Sequence, residues 1–104
     1  MFPTYLVTGA TDGIGKSTAL ALAQTDACVI IHGRDPDKTA AVLQEIKQAT
    51  NNPNLHRVLA DFASLKEVAA LAERIRNEFP GLNVLVNNAG HLTDHRQLSM
   101  DGLS

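Results

Sequence analysis

Short runs of apolar residues alternate along the chain with longer segments in which apolar residues recur at helical spacing. The short runs are continuous rather than alternating with polar residues, which is typical of strands buried on both faces of a sheet. They predict strands at residues 5–7, 27–32, 55–60 and 82–86. The third run has the weakest pattern, because His56 and Arg57 interrupt it. Helices are predicted between the runs, at residues 14–24, from 35 onward and at 64–79. The order β-α-β-α-β-α-β predicts an α/β fold with a parallel sheet covered by helices.

The starts of the second and third predicted helices carry capping signals. Asp35 stands before Pro36, and proline suits the first helical position because its φ is fixed and it has no N–H. Ser64 and Glu67 match an S-x-x-E capping box. In that motif each of the two side chains accepts a hydrogen bond from an otherwise unpaired amide at the helix start.

Composition narrows the classes of partner. The chain has 104 residues, of which 44% are apolar and 19% charged, as in an ordinary globular domain. Nine basic and eleven acidic residues give a net charge of −2, which lacks the basic excess of a nucleic-acid binder. The apolar runs are too short to span a membrane, and no secretion leader is recognisable, so a cytoplasmic location is expected. Cys28 is the single cysteine, and the histidines show no metal-ligand spacing, so no metal site is expected.

A glycine-rich turn, Thr8 to Ser17, joins the first strand to the first helix. Glycines let the backbone turn tightly and approach a phosphate, and the free N–H groups at a helix start attract the anion. One candidate chemistry is nucleotide hydrolysis, because residues 10–17 match the loop G-x-x-x-x-G-K-[ST] except that Ala10 replaces the first glycine. Lys16 would then hold the terminal phosphates and Ser17 would bind magnesium. A purely structural turn is the simplest alternative.

The second candidate chemistry is dinucleotide binding. The strict G-x-G-x-x-G pattern fails, because Thr18 stands where the third glycine belongs after Gly13 and Gly15. The turn instead reads T-G-x-x-x-G-I-G from Thr8 to Gly15. A glycine motif alone is a weak signal, so the choice depends on a second motif elsewhere in the chain.

That second motif is N-N-A-G at residues 87–90, directly after the fourth apolar run. Together the two motifs resemble the short-chain dehydrogenase/reductase family, over residues 4 to about 90. Residues 98–103 are also similar to the retinol-dehydrogenase-like branch. The resemblance implies a partial doubly wound, Rossmann-like parallel sheet with strand order 3-2-1-4 and right-handed crossovers. It further implies that residues 1–104 are the N-terminal part of a single NAD(P)-binding domain, truncated at its C-terminus.

The resemblance implies that the glycine turn binds the diphosphate and adenosine of a nicotinamide dinucleotide. The residues concerned are Gly9, Thr11, Asp12, Gly13, Ile14 and Gly15. Gly9 would make the tight turn, and Thr11 and Asp12 would line the adenosine side. Gly13 and Ile14 would bring the backbone against the phosphates, while the last glycine lets the helix pack close to the sheet. Ordinary turn chemistry is the alternative role for Thr11 and Asp12.

Further cofactor contacts are implied at the ends of the third and fourth strands. Asp61 would accept a hydrogen bond from the adenine amino group, and Phe62 would lie over the base edge. Structural roles remain open for both residues, as a turn cap and a core side chain. Asn88, Ala89 and Gly90 would pass beside the adenosine ribose. Asn87, which precedes them, is expected to bridge neighbouring strands instead.

The end of the second strand favours NADP(H) over NAD(H). A site that prefers NAD places a carboxylate there, which binds the ribose 2′-hydroxyl and repels a 2′-phosphate. Here Gly33 takes that place and Arg34 follows, 19 residues after Gly15, close to the usual separation of about 20. A guanidinium can grip a phosphate through two hydrogen bonds. The carboxylates of Asp12 and Asp35 argue in the other direction, although Asp35 also has a capping role.

The family's chemistry implies hydride transfer between the nicotinamide and a small carbonyl or alcohol substrate. It uses a tyrosine as general acid/base, a lysine four residues later and a serine that polarises the carbonyl. The only tyrosine here is Tyr5, followed four residues later by Gly9, so no catalytic residue is predicted in this chain. The complete protein is expected to be a homo-oligomeric enzyme, and this chain alone is expected to be inactive. A non-catalytic NADP(H)-binding module is the main alternative, and a nucleotide hydrolase the other.

Overall fold

The computed structural model describes residues 3–87, in which strands and helices alternate. The elements are β1 (Thr4–Val7), α1 (Gly13–Ala23), β2 (Cys28–Gly33), α2 (Pro36–Thr50), β3 (Leu55–Leu59), α3 (Leu65–Glu78) and β4 (Val84–Val86). The four strands are parallel and form one sheet in the order β3-β2-β1-β4. The α/β class and the strand order implied by the sequence are therefore confirmed.

Helices cover both faces of the sheet. Leu6, Ile30 and Val58 of three adjacent strands pack on one face against Leu71 and Ile75 of α3. The other face packs against α1 and α2, through Val7, Val29, Ile31, Ala19, Ala23, Val42 and Ile46. Successive strand residues point to opposite faces, so a strand covered on both sides needs an unbroken apolar run. This explains the sequence pattern of β1 and β2.

β3 departs from the expectation that every strand is buried on both faces. Val58 is fully buried, but His56, Arg57 and Leu59 are exposed. β3 lies at one edge of the sheet and pairs only with β2. The polar residues that interrupt the third apolar run therefore mark an edge strand, in which three of the five side chains are exposed.

The two predicted helix caps are observed, but one of the predicted capping hydrogen bonds is not. Asp35 caps α2 as predicted, accepting hydrogen bonds from two amides of the first turn. Ser64 caps α3 by accepting from the Glu67 amide at 3.2 Å. The reciprocal half of the predicted capping box is wrong, because the Glu67 carboxylate accepts from the Asp61 amide at 2.9 Å instead. The Ser64 amide bonds to the Asp61 carbonyl, so it has no need of Glu67.

Candidate functional site

The candidate site lies at the carboxyl ends of the parallel strands. β1 has β2 on one side and β4 on the other, so the chain reverses its direction of winding at β1. Crevices at such reversal points are where open α/β sheets bind ligands. The glycine turn follows β1 at this point. The segments that follow β2, β3 and β4 begin at the same edge.

Backbone conformation explains the glycines of the turn. Gly9 and Gly13 have φ angles of 59° and 51°, in the left-handed region that side chains disfavour. A Cβ built on Gly15 would collide with the carbonyl oxygen of Gly9 and lie 2.9 Å from its carbonyl carbon. A Cβ on Gly13 would meet no described atom within 4 Å, so the space beside this glycine is open. Two glycines thus shape the turn, and Gly15 permits the close approach of α1 that was expected.

The start of α1 has no side-chain cap within the described range. Asp12 occupies the capping position in an extended conformation, but its side chain makes no capping hydrogen bond. Its carboxylate instead lies 2.7 Å from the Nζ of Lys38 on α2. Ile14, in the first turn, is 78% exposed although it is a large apolar residue. The first-turn amides and an apolar side chain are therefore presented together at the strand ends.

Lys16 does not point toward the turn. Its Nζ pairs with a carboxylate oxygen of Glu45 on α2, at 2.6 Å. A hydrolase loop needs this lysine at the terminal phosphates of the nucleotide. The pairing gives Lys16 a structural partner between two helices and argues against the hydrolase interpretation.

The end of β2 is closely packed at the position where a carboxylate would select NAD. A Cβ on Gly33 would collide with the Oγ1 of Thr39 and lie 2.7 Å from the Cγ2 of Thr11. Arg34 is exposed and has no ion pair within residues 3–87. Asp35 uses one carboxylate oxygen to accept the two capping hydrogen bonds of α2. The arginine is thus available to a ligand, while the neighbouring carboxylate has a structural function.

Asp61 and Phe62 both have structural partners. The Asp61 carboxylate accepts from the amide of Ala63 at 2.9 Å, which caps the turn after β3. Phe62 is 8% exposed and stacks on the ring of His32, with the ring centroids 4.2 Å apart and the planes within 2° of parallel. The structural alternatives stated for these two residues are therefore observed, and their contacts with adenine stay predictions.

Asn87 bridges two strand ends, as expected. Its side-chain oxygen accepts from the hydroxyl of Thr8 at 3.1 Å, and the Thr8 amide donates to the Val86 carbonyl at 3.0 Å. These bonds join the end of β4 to the start of the glycine turn. Asn88, Ala89 and Gly90 lie outside the described residues, so their predicted place beside the ribose stays a prediction.

Two residues at the site were not anticipated. His32, 4% exposed, contacts both the glycine turn and the segment after β3, and a histidine in an otherwise apolar strand is the signal that could have indicated it. Lys38 brings a cation beside Asp12 from the first turn of α2. Its position in the first turn of α2, four residues after Arg34, offers only a weak sequence signal.

Neither a cluster of metal-binding side chains nor a long apolar helix occurs in the described part of the chain. Residues 3–87 contain no group of three or more histidine, cysteine, aspartate or glutamate side chains arranged to hold a metal ion. Over the same residues, none of the helices combines the length and apolar character needed to cross a membrane.

Known proteins with similar sequences and structures identify the family. The family model described as short chain dehydrogenase matches residues 3–102. A protein of Streptomyces sp. strain C5, assigned as the daunorubicin C-13 ketoreductase DnrU, is 41% identical over 99 residues, covering 95% of this chain and 34% of that protein. Human retinol dehydrogenase 13 is 37% identical over 99 residues, which cover 95% of this chain and 30% of that protein. L-sorbose reductase from Gluconobacter frateurii, in complex with NADPH and L-sorbose, matches with a TM-score of 0.77 and 29% identity over 86% of this chain and 34% of that one.

The strand order and the glycine turn at the reversal point define an α/β domain of the dinucleotide-binding class. The chain belongs to the short-chain dehydrogenase family, whose members are oxidoreductases that use a nicotinamide cofactor. The resemblance drawn from the two sequence motifs is confirmed. The chain spans about a third of the length of the curated relatives it matches.

Proposed function

We propose that the chain is the NADP(H)-binding portion of a short-chain dehydrogenase/reductase that acts on a carbonyl or alcohol substrate. The bound nicotinamide supplies or accepts the hydride. The chain forms the N-terminal part of the cofactor domain of a cytoplasmic, homo-oligomeric enzyme. The uncapped start of α1, beside a glycine turn at the sheet's reversal point, is the observation that carries this proposal.

The fit of a dinucleotide rests on the space and the donors at that turn. Gly13 leaves open space where a diphosphate can approach, and the first-turn amides of α1 are not used by Asp12. Amides at a helix start bind phosphate oxygens, and the helix dipole favours the negative charge. Gly13 and Ile14 therefore hold the diphosphate through their backbone, and the exposed Ile14 side chain packs against the cofactor.

The preference for NADP(H) rests on the end of β2. Thr11 and Thr39 fill the space that a side chain at Gly33 would need, so a carboxylate selecting NAD is sterically disfavoured there. Arg34 is exposed and without an ion pair among the described residues. Lys38 pairs with Asp12, so the carboxylate that argued against NADP(H) is already offset by a cation. Arg34, whose charge is not offset in this way, favours a 2′-phosphate. The sorbose reductase that resembles this chain was solved with NADPH.

A pair of arginine substitutions tests the assignment by isothermal titration of the chain. Arg34→Ala should weaken NADPH binding about tenfold or more and leave NADH binding nearly unchanged, because only NADPH carries the phosphate. The matched control is Arg76→Ala, whose side chain is 52% exposed on α3 and away from the strand ends. Equal losses for both cofactors, or a similar loss in the control, would contradict a 2′-phosphate contact at Arg34.

Catalysis by this chain alone is not part of the proposal. Tyr5 is the only tyrosine in the sequence, and it lies in β1 with Gly9 four residues later. A non-catalytic NADP(H)-binding module therefore remains the second candidate. Under either candidate the chain binds NADPH without reducing a carbonyl substrate, and oxidation of NADPH followed by absorbance is expected to stay at the rate without protein. The substitution Lys16→Ala distinguishes these two candidates from a nucleotide hydrolase, because only a hydrolase would lose nucleotide binding.

A further inference from the structure

One buried imidazole connects the two parts of the proposed cofactor site. The amide of Gly9 donates to Nδ1 of His32 at 3.1 Å, and the Nε2 of the same ring lies 2.8 Å from the carbonyl oxygen of Ala60. The face of the ring stacks on Phe62. His32 is 4% exposed, and its bond to Ala60 is buried, while its bond to Gly9 is partly buried.

The partners of the ring define where its proton lies. Nδ1 receives a hydrogen bond from an N–H group, so it must be the unprotonated nitrogen. Nε2 faces a carbonyl oxygen, which can only accept, so Nε2 carries the proton and donates. The neutral ring with its proton on Nε2 satisfies both neighbours at once.

The same residue holds the turn a second time through its backbone. The carbonyl oxygen of His32 accepts from the amide of Ala10 at 2.9 Å, next to the bond from Gly9 to the ring. Gly9 has a φ in the left-handed region, and a glycine can adopt many other conformations that compete with this one. Two adjacent amides of the turn are therefore fixed by one residue of β2.

We propose that His32 is a positioning residue for dinucleotide binding. Its ring fixes the glycine turn through Nδ1 and the segment carrying Asp61 and Phe62 through the carbonyl of Ala60. The diphosphate end and the adenine end of the site thereby keep a fixed spacing, so that one cofactor can occupy both. This inference rests on the proposed function, because it names a residue that prepares the same site.

Three substitutions separate the two hydrogen bonds of the ring. His32→Asn places an amide oxygen near the position of Nδ1 and can still accept from Gly9. His32→Gln reaches toward Ala60 and can donate to it, but offers no acceptor at the Nδ1 position. His32→Leu fills much of the volume and makes neither bond. The control is Val58→Ala, which removes buried volume from the neighbouring residue of β3 without touching the turn.

Dissociation constants for NADPH are measured by titration at a temperature where circular dichroism shows each variant folded. His32→Leu, which makes neither bond, should raise the constant about tenfold, whereas His32→Asn and His32→Gln, which each keep one bond, should raise it by only about threefold. Val58→Ala should lower the melting temperature without changing the constant. A purely structural role predicts the opposite, with affinity unchanged in every folded variant, and that result would overturn the proposal.

The unaltered chain separates failure of this inference from failure of the proposed function. If it binds neither NADPH nor NADH, the proposed function is wrong and the role of His32 falls with it. If it binds NADPH and all folded His32 variants bind equally well, only the positioning role is wrong.

Nitrogen-15 NMR of the unaltered chain covers the case in which the variants do not fold. The expected spectrum shows a protonated Nε2 and an unprotonated Nδ1, with the ring nitrogens and the Gly9 amide shifting together when NADPH is added. A proton on Nδ1, or NADPH binding that shifts none of these signals, would overturn the proposal.

Discussion

The starts of α1 and α2 lie at the same edge of the sheet but are completed in different ways. At α2 the Asp35 side chain accepts hydrogen bonds from two first-turn amides, and Pro36 removes the need for another. At α1 the residue in the equivalent position, Asp12, makes no capping hydrogen bond and pairs with Lys38 instead. One helix start is satisfied by its own chain, whereas the other leaves its amides for another acceptor.

This difference separates a turn that is complete within the chain from the turn that we propose binds the cofactor. Both turns contain an aspartate at the capping position and both follow a buried parallel strand. Only the α1 turn contains two glycines at positive φ and open space beside one of them. An unsatisfied helix start is costly unless water or a ligand pairs with it, so its position beside a glycine turn is what a phosphate site requires.

We expect the largest loss of stability and of NADPH affinity when a side chain is added inside the α1 turn. Gly15→Ala places a Cβ against the Gly9 carbonyl, where backbone must move. The free energy of unfolding should fall by about 3 kcal/mol, and NADPH affinity should fall with it. Gly81→Ala is the control, because a Cβ there meets no described atom within 4 Å. Equal stability of the two variants in urea denaturation would show that the close approach at Gly15 is not needed.

Removal of the α2 cap should have an intermediate effect. Asp35→Ala leaves two first-turn amides without their acceptor, and we expect a loss of about 1 kcal/mol in the free energy of unfolding. Asp37→Ala removes a carboxylate from the same turn and should cost less than about 0.5 kcal/mol, since only its interaction with the helix dipole is lost. If urea denaturation gives the same value for both, the capping bonds contribute no stability of their own.

Acid should weaken the α1 turn through His32. Burial lowers the pKa of His32 below its usual value of 6.5, and the hydrogen bond to the Ala60 carbonyl opposes this only in part. The unfolded chain therefore takes up a proton at a higher pH than the folded chain. The resulting stability is fully present above pH 6.5 and is lost as the pH falls through 6.5 toward the lowered pKa.

Denaturation curves of the unaltered chain and of His32→Asn, recorded between about pH 7.5 and pH 5.5, measure this dependence. The unaltered chain should lose more free energy of unfolding over this range than the variant. Parallel losses would assign the pH dependence to other groups.

We expect the smallest change in the free energy of unfolding from a substitution of Asp12, which precedes α1 without capping it. Asp12→Ala removes an exposed ion pair with Lys38, which should change the free energy of unfolding by only a few tenths of a kcal/mol. The same change frees Lys38 and removes a negative charge, so NADPH affinity should rise about two- to threefold, with little change for NADH. A loss of stability as large as that of Asp35→Ala would mean that Asp12 acts as a cap after all.

The local pattern of apolar residues was sufficient to predict the strands and helices and their order along the chain. Each predicted bound lies within two residues of the observed one, because continuous apolar runs and helical spacing report burial directly, although no end was predicted for α2. Asp35 could be assigned as a cap from its neighbour Pro36 alone. The strand order followed from the two motifs, through the family resemblance, and not from the periodicity.

Contacts between distant segments could not be predicted in this way. The Glu67 carboxylate accepts from the Asp61 amide, and the Ser64 amide that a local capping box would use is bonded to the Asp61 carbonyl instead. The packing of Thr39 and Thr11 against Gly33 depends on how α2 lies over the turn. Asn52, which is buried and donates to the carbonyls of Ala23 and Ala27, joins elements that no sequence period connects.

The most direct test of the contrast between the two helix starts is a two-dimensional 1H–15N NMR titration of the chain with NADPH. The amides of Gly13, Ile14 and Gly15 should show the largest shifts, because the cofactor's phosphates accept from them. The Phe79 amide, which donates to the Ile75 carbonyl at the far end of α3, should not move and serves as the internal reference. Shifts confined to other regions, or no shift at the start of α1 at saturating NADPH, would contradict the assignment of this turn as the cofactor site.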